Sequence, residues 1–270
     1  MLSPFAETNL VLLWAILFGV LALAGEIGFR LEGWRTARRT LSEEQRSGIS
    51  TVTASMFALL AFTLGLTISF AQSRFEARRD IVVREANAIG TAWLRARLVG
   101  EPEGTAIATL VEHYTKVRLD YTAGEHEDRV RSLLAETGNL QTEMWKRATE
   151  LARRMPTPIS ASLIAALNEM FDASLAQRFA FTTRVPPSLE WTLLAGSILA
   201  VGAMGYQLGS TGSRQAILSV LSLLMWAGAL VLILDFDRAR QGTIRVDPAP
   251  LIWTIDGFGA GGAAGGASVR

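Results

Sequence analysis

The chain has 270 residues, half of them hydrophobic, a net charge of +1, two histidines and no cysteine. So small a charge excludes the broad basic field of a nucleic-acid binder. The absence of cysteine excludes disulfides and thiolate metal sites. His113 and His126 lie in polar surroundings and read as solvated helix-surface residues; a metal centre needs three or four converging ligands. No metal or other cofactor is expected.

The first apolar span covers 10–28 (LVLLWAILFGVLALAGEIG). It has neither a basic leader nor a small-residue cleavage site, so it reads as a membrane helix rather than a cleaved signal peptide. GEIGFRLEGWRTARR (25–39) extends it. That arginine-rich stretch reads either as an amphipathic segment on anionic headgroups or as a helix end with snorkelling arginines.

The second span, 49–71, lies in an uncharged run, ISTVTASMFALLAFTLGLTISFAQ (49–72). The run passes into SRFEARRDIVVREANAIGTAWLRARLV (73–99) with no proline and Gly90 as its one glycine. Residues 49–99 are therefore predicted to form one helix that leaves the membrane. At about 100° per residue, Thr51, Ser55, Ala58, Phe62, Gly65, Leu66, Ser69, Ser73 and Glu76 share a face. Hydroxyls sit at both ends of that face and Ala58, Phe62 and Leu66 in its middle. Around an axis this gives wet vestibules flanking an apolar constriction that can gate by dewetting. Between packed helices it gives a small-residue seam with Phe62 as a knob.

Residues 73–187 are polar with helical periodicity. Phe75, Val82, Ala86, Ile89 and Trp93 form one stripe, and Ile107, Leu110, Val111, Tyr114 and Val117 a second. Val130, Leu133, Leu134, Thr137, Leu140, Met144 and Leu151 form a third; Leu163, Ala166, Leu167, Met170 and Ser174 form a fourth. Breaks fall at GEPEG (100–104), TAGEHED (122–128) and MPTP (155–158). All four stripes read as core packing.

Span three is 188–207 and span four 216–234. Pro186 and Pro187 stop the preceding helix, and Pro187 suits the first turn of span three. Asp235 and Asp237 follow span four, on the side where Arg74, Arg78 and Arg79 follow span two. Charges leaving a bilayer need partners, so these five read as an ion-pair cluster or, second, as an ion-selectivity ring. Two aspartates are too few for a calcium site. DGFGAGGAAGGASVR (256–270) reads as a disordered tail, and its glycine-rich 257–266 as no phosphate loop, since it neither follows a strand nor precedes a helix. No catalytic motif is present, and no enzyme is expected.

LAFTLGLTISFAQSRF (60–75) resembles the pore helix of bestrophins, including an arginine-aromatic pair, Arg74-Phe75, at the membrane exit. SRFEARRDIVVREANAIGTAWLR (73–95) and LDFDRARQGTIRVDPAPL (234–251) resemble the bestrophin-like family of bacterial membrane proteins. The resemblance implies a homo-oligomeric, pentameric ion channel whose second helix lines the pore. By position Ala58, Phe62 and Leu66 would form its neck, looser at Ala58, with Thr51, Ser55, Ser69 and Ser73 lining the wider ends.

The expected architecture is all-α: four membrane spans and a helical soluble domain between spans two and three. Residues 1–72 would hold the first two spans, 73–187 the soluble domain, 188–235 the last two spans and 236–270 the C-terminal segment. Nine arginines flank the membrane on the side of the soluble domain (74, 78, 79, 84, 178, 184, 238, 240, 245) against six on the other (30, 35, 38, 39, 46, 214). The positive-inside rule then places the soluble domain in the cytoplasm of a bacterial inner membrane. The expected function is passive ion conduction, anions ahead of cations, with the lipid bilayer, further copies of the chain and a permeant inorganic ion as partners. The alternative is a non-conducting membrane scaffold or sensor whose soluble domain binds a partner.

Overall fold

The computed structural model describes residues 9–36, 41–124, 126–212, 214–238, 240 and 242–259, with the backbone alone at 35, 36 and 127. Among them every regular element is a helix: α1 (Leu10–Thr36), α2 (Glu43–Val99), α3 (Glu103–Ala123), α4 (Glu127–Arg154), α5 (Pro158–Thr182), α6 (Pro187–Thr211), α7 (Ala216–Asp237) and α8 (Ala249–Gly259). Four stretches are long and apolar enough to cross a membrane: Leu10–Trp34, Glu43–Val99, Pro158–Thr211 and Ala216–Asp237. The third includes the break at Pro186, and its most apolar part is α6.

The breaks follow local chemistry. α2 runs unbroken for 57 residues, as its lack of proline predicts. It ends at Gly100, whose φ of 83° suits glycine. A capping box between Thr157 and Ser160 starts α5, with Pro158 in its first turn. Pro187 starts α6, and Gly212 ends it at φ 70°.

The chain divides into two compact units. The first comprises residues up to Arg74 together with Arg184–Ile244, and so holds α1, the first part of α2, α6 and α7. Leu13, Leu17 and Leu21 of α1 pack with Leu193 and Val201 of α6 and Leu223, Ala227 and Leu230 of α7. The closest approach is glycine on glycine. A Cβ on Gly28 would collide with the carbonyl of Gly202, and one on Gly205 with the carbonyl of Gly25. Ala24 lies at Gly202, and Phe29 and Glu32 at Gly209, so α1 and α6 run parallel. Small residues let two backbones meet where lipid offers no hydrophobic drive for association. Trp226 donates its indole N–H to Ser197 Oγ at 2.8 Å, and Phe57 meets Trp226 edge-on at 5.7 Å.

The second unit comprises Phe75–Thr183 and the chain from Arg245, and so holds the rest of α2, α3, α4, α5 and α8. All four apolar stripes face inward: Val82, Ile89, Ile107, Val111, Leu133, Met144, Leu163 and Leu167 are buried.

Two features differ from the sequence reading. That reading gives 236–270 as one C-terminal segment with a disordered tail, yet α8 forms in it and belongs to the second unit. Trp93 packs on Phe258 at 5.1 Å, and Asp247 caps the Ala249 N–H at 2.9 Å. Residues 256–259, expected to start a disordered tail, close this helix. The remainder of that expected tail, 260–270, lies outside the described residues. The segment 25–39 continues α1 as far as Thr36, and its last residues lie outside the described residues too.

A candidate pore-lining face on α2

α2 has two faces within the first unit. Thr53, Thr67 and Ala71 are buried, with Phe57, Leu60 and Leu64 half-buried on the same stripe. At about 100° per residue, Thr51, Ser55, Ala58, Phe62, Leu66, Ser69 and Ser73 all fall within about 40° of the opposite direction. All seven are exposed; Phe62 is 65% accessible and Leu66 46%. Gly65, between them, has nothing within 4 Å of where a Cβ would stand. The chain thus turns the packed stripe of α2 inward and leaves the candidate pore face uncovered from end to end.

Three hydroxyls on this face are bonded to their own helix. Thr51 Oγ1 donates to the Ser47 carbonyl at 3.0 Å, Ser55 to Thr51 at 2.8 Å and Ser69 to Gly65 at 3.1 Å. Such back-bonding satisfies the proton inside the helix and leaves oxygen lone pairs facing outward.

Within its own unit, each of three membrane-exit charges bonds to backbone. Asp237 accepts from the Val185 N–H at 2.6 Å, and Asp235 from the Thr243 N–H at 2.9 Å. In the first unit the two carboxylates therefore fasten the backbone where α6 is entered and α7 is left. Arg78, fully buried in the second unit, donates to the carbonyls of Ala180 at 3.1 Å and Thr183 at 2.8 Å, at the end of α5. Arg74 is half-buried and Arg79 exposed. His113 lies 3.1 Å from Glu136 at the surface. Among the described residues, no three His, Asp or Glu side chains are grouped to hold a metal.

The sequence reading missed a polar network inside the second unit. Arg118 donates to Glu85 at 2.5 and 3.4 Å and also to Gln177; all three side chains are buried. Gln177 donates in turn to Thr122 at 2.9 Å, and the Arg118 guanidinium lies 4.3 Å over the Tyr121 ring. Burial, reinforced by the nearby Glu85 charge, pushes the Tyr114 hydroxyl up to about 12. The signal was in the pattern: Glu85, Arg118 and Gln177 each fall on an apolar stripe, where a polar side chain must find a partner.

A bestrophin-like domain matches residues 20–251. The chain belongs to the bestrophin-like family. Its fold matches a bacterial bestrophin homologue from Klebsiella pneumoniae, solved by Zn-SAD phasing, with a TM-score of 0.63, 15% identity and coverage of 92% of this chain and 96% of that one. A tryptophan-to-alanine variant of that homologue matches with a TM-score of 0.68 at 14% identity, covering 93% and 95%. No curated protein sequence matches. Four apolar helices in a bestrophin-like chain make this a membrane protein.

Proposed function

We propose that this chain forms a homo-oligomeric channel for passive ion flow, with α2 of each subunit lining the pore. The observation that carries the reading is the bare face of α2, seven sequence-selected residues set directly opposite its packed stripe. Around a symmetry axis Ala58, Phe62 and Leu66 form an apolar neck that holds the closed pore dry. Thr51 and Ser55 line one vestibule, Ser69 and Ser73 the other. Family membership supports this role, and a pentamer is the assembly proposed. The soluble domain is the part of the second unit between the second and third spans, joined by α8 from beyond the fourth, and the arginine balance favours the cytoplasm of a bacterial inner membrane for it. Inorganic anions are the proposed substrate class. They need the vestibule hydroxyls to swing from backbone carbonyl to ion; cations would meet the lone pairs as they stand.

The test is Phe62→Ala, read two ways. In planar bilayers it should give larger or more persistent currents, with an unchanged size-exclusion profile. A silent protein that elutes as smaller species would assign Phe62 to helix packing and overturn the pore. Reversal potentials in asymmetric salt give the sign of the permeant ion.

A further inference from the structure

A second site lies on the membrane unit, away from the α2 face. Between α1, α6 and the first turns of α7 runs an open groove. Its depth comes from small side chains: Ala22 and Gly25 on α1 and Gly205 on α6 keep the floor low because α1 and α6 meet there backbone to backbone. Met204, Val220 and Leu223 complete an apolar wall. Against such a lining water gains little, and a hydrocarbon chain loses nothing by entering.

The mouth is charged. Arg214 precedes α7 and stacks its guanidinium over the Phe29 ring at 4.6 Å. Its side chain is 64% exposed, and its ion-pair contact to Glu26 is long at 3.7 Å. Glu26 is held more closely by Arg30, at 2.7 Å. Two guanidiniums thus share one carboxylate, which leaves a net positive charge at the rim of an apolar groove. Resting over Phe29, the guanidinium keeps donors available to an oxyanion.

We propose that this groove holds one acyl chain of an anionic phospholipid, with its phosphate seated on Arg214. The helices forming the groove are membrane spans, so hydrocarbon is what surrounds them, and the positive rim selects the headgroup. The site stands independently of conduction, because bound lipid is counted on the protein whether or not it passes current.

Native mass spectrometry of detergent-purified protein, relipidated with equal phosphatidylglycerol and phosphatidylcholine, tests it. Wild type should retain phosphatidylglycerol with about fivefold preference, the worth of one basic residue at an anionic surface. Arg214→Gln should abolish the preference while lipid is still retained, and Arg214→Lys should restore most of it. Val220→Trp, filling the groove, should remove one lipid per subunit of either kind. Size exclusion checks that each variant assembles. Identical lipid counts and preference in wild type, Arg214→Gln and Val220→Trp would overturn the site. So would a Val220→Trp protein that changes oligomer size with its lipid count intact, since the groove would then seat a second copy.

Discussion

In the membrane unit the tightest contact is backbone against backbone, Gly25 and Gly28 on Gly202 and Gly205. The second unit instead encloses a polar network, the Glu85–Arg118 ion pair with the Gln177 amide on Arg118, sealed among apolar stripes. Lipid tails are as apolar as leucine, so spanning helices gain little by burying apolar surface and gain instead by close van der Waals approach. A helical unit in water has the hydrophobic effect to assemble it. It can then enclose a polar network, provided every member finds a partner. One protein therefore has two kinds of sensitivity, to added volume in the first unit and to lost charge in the second.

The largest expected effect lies in the polar network. Arg118→Leu strands Glu85 in the core and should destabilise the second unit by about 3–5 kcal/mol. Urea unfolding in detergent measures it. A combined Glu85→Leu, Arg118→Leu protein should recover much of that loss, because no lone buried charge remains. A double variant as unstable as the single would make the network more than an ion pair.

Next comes pH. The Tyr114 hydroxyl titrates at about 12 in the folded chain instead of the ordinary 10.0. Folding therefore holds the proton more tightly. This contribution is full below pH 10 and is lost as pH rises through 12, about 3 kcal/mol in all. Tyr114→Phe should lack that component of alkaline destabilisation, so wild type and variant compared between pH 9 and pH 12 should converge. Parallel curves would show that Tyr114 keeps its proton no better than an exposed tyrosine.

Glycines sharpen the contrast within the first unit. Gly205→Ala puts a methyl into the Gly25 carbonyl and should cost about 1–3 kcal/mol as α1 and α6 separate. Gly65→Ala, on the bare face of α2, meets nothing and should stabilise the helix by about 0.5–1 kcal/mol. Thermal melting in detergent should move in opposite directions for the two. A fall for Gly65→Ala would mean that in the assembled protein a neighbour crosses α2 at this point.

Periodicity and punctuation make most of the fold legible in the amino-acid sequence. An unbroken run without proline predicts the length of α2, and Pro186-Pro187 divides α5 from α6. α8 escapes that reading although Asp247 before Pro248-Ala249-Pro250 is a start signal, because its apolar run is only three turns long. The sequence by itself determined which residues share the polar-ended face of α2, since a helix of fixed pitch allows one answer. Only tertiary structure decided that this face is the uncovered one, because helical pitch gives directions and not neighbours. The same limit hid the pairing of Glu85 with Arg118, 33 residues apart, and with them Gln177, 59 residues beyond Arg118. Each was visible as a polar residue on an apolar stripe. That the three stripes converge on one point depends on how the helices pack, which no single helix encodes.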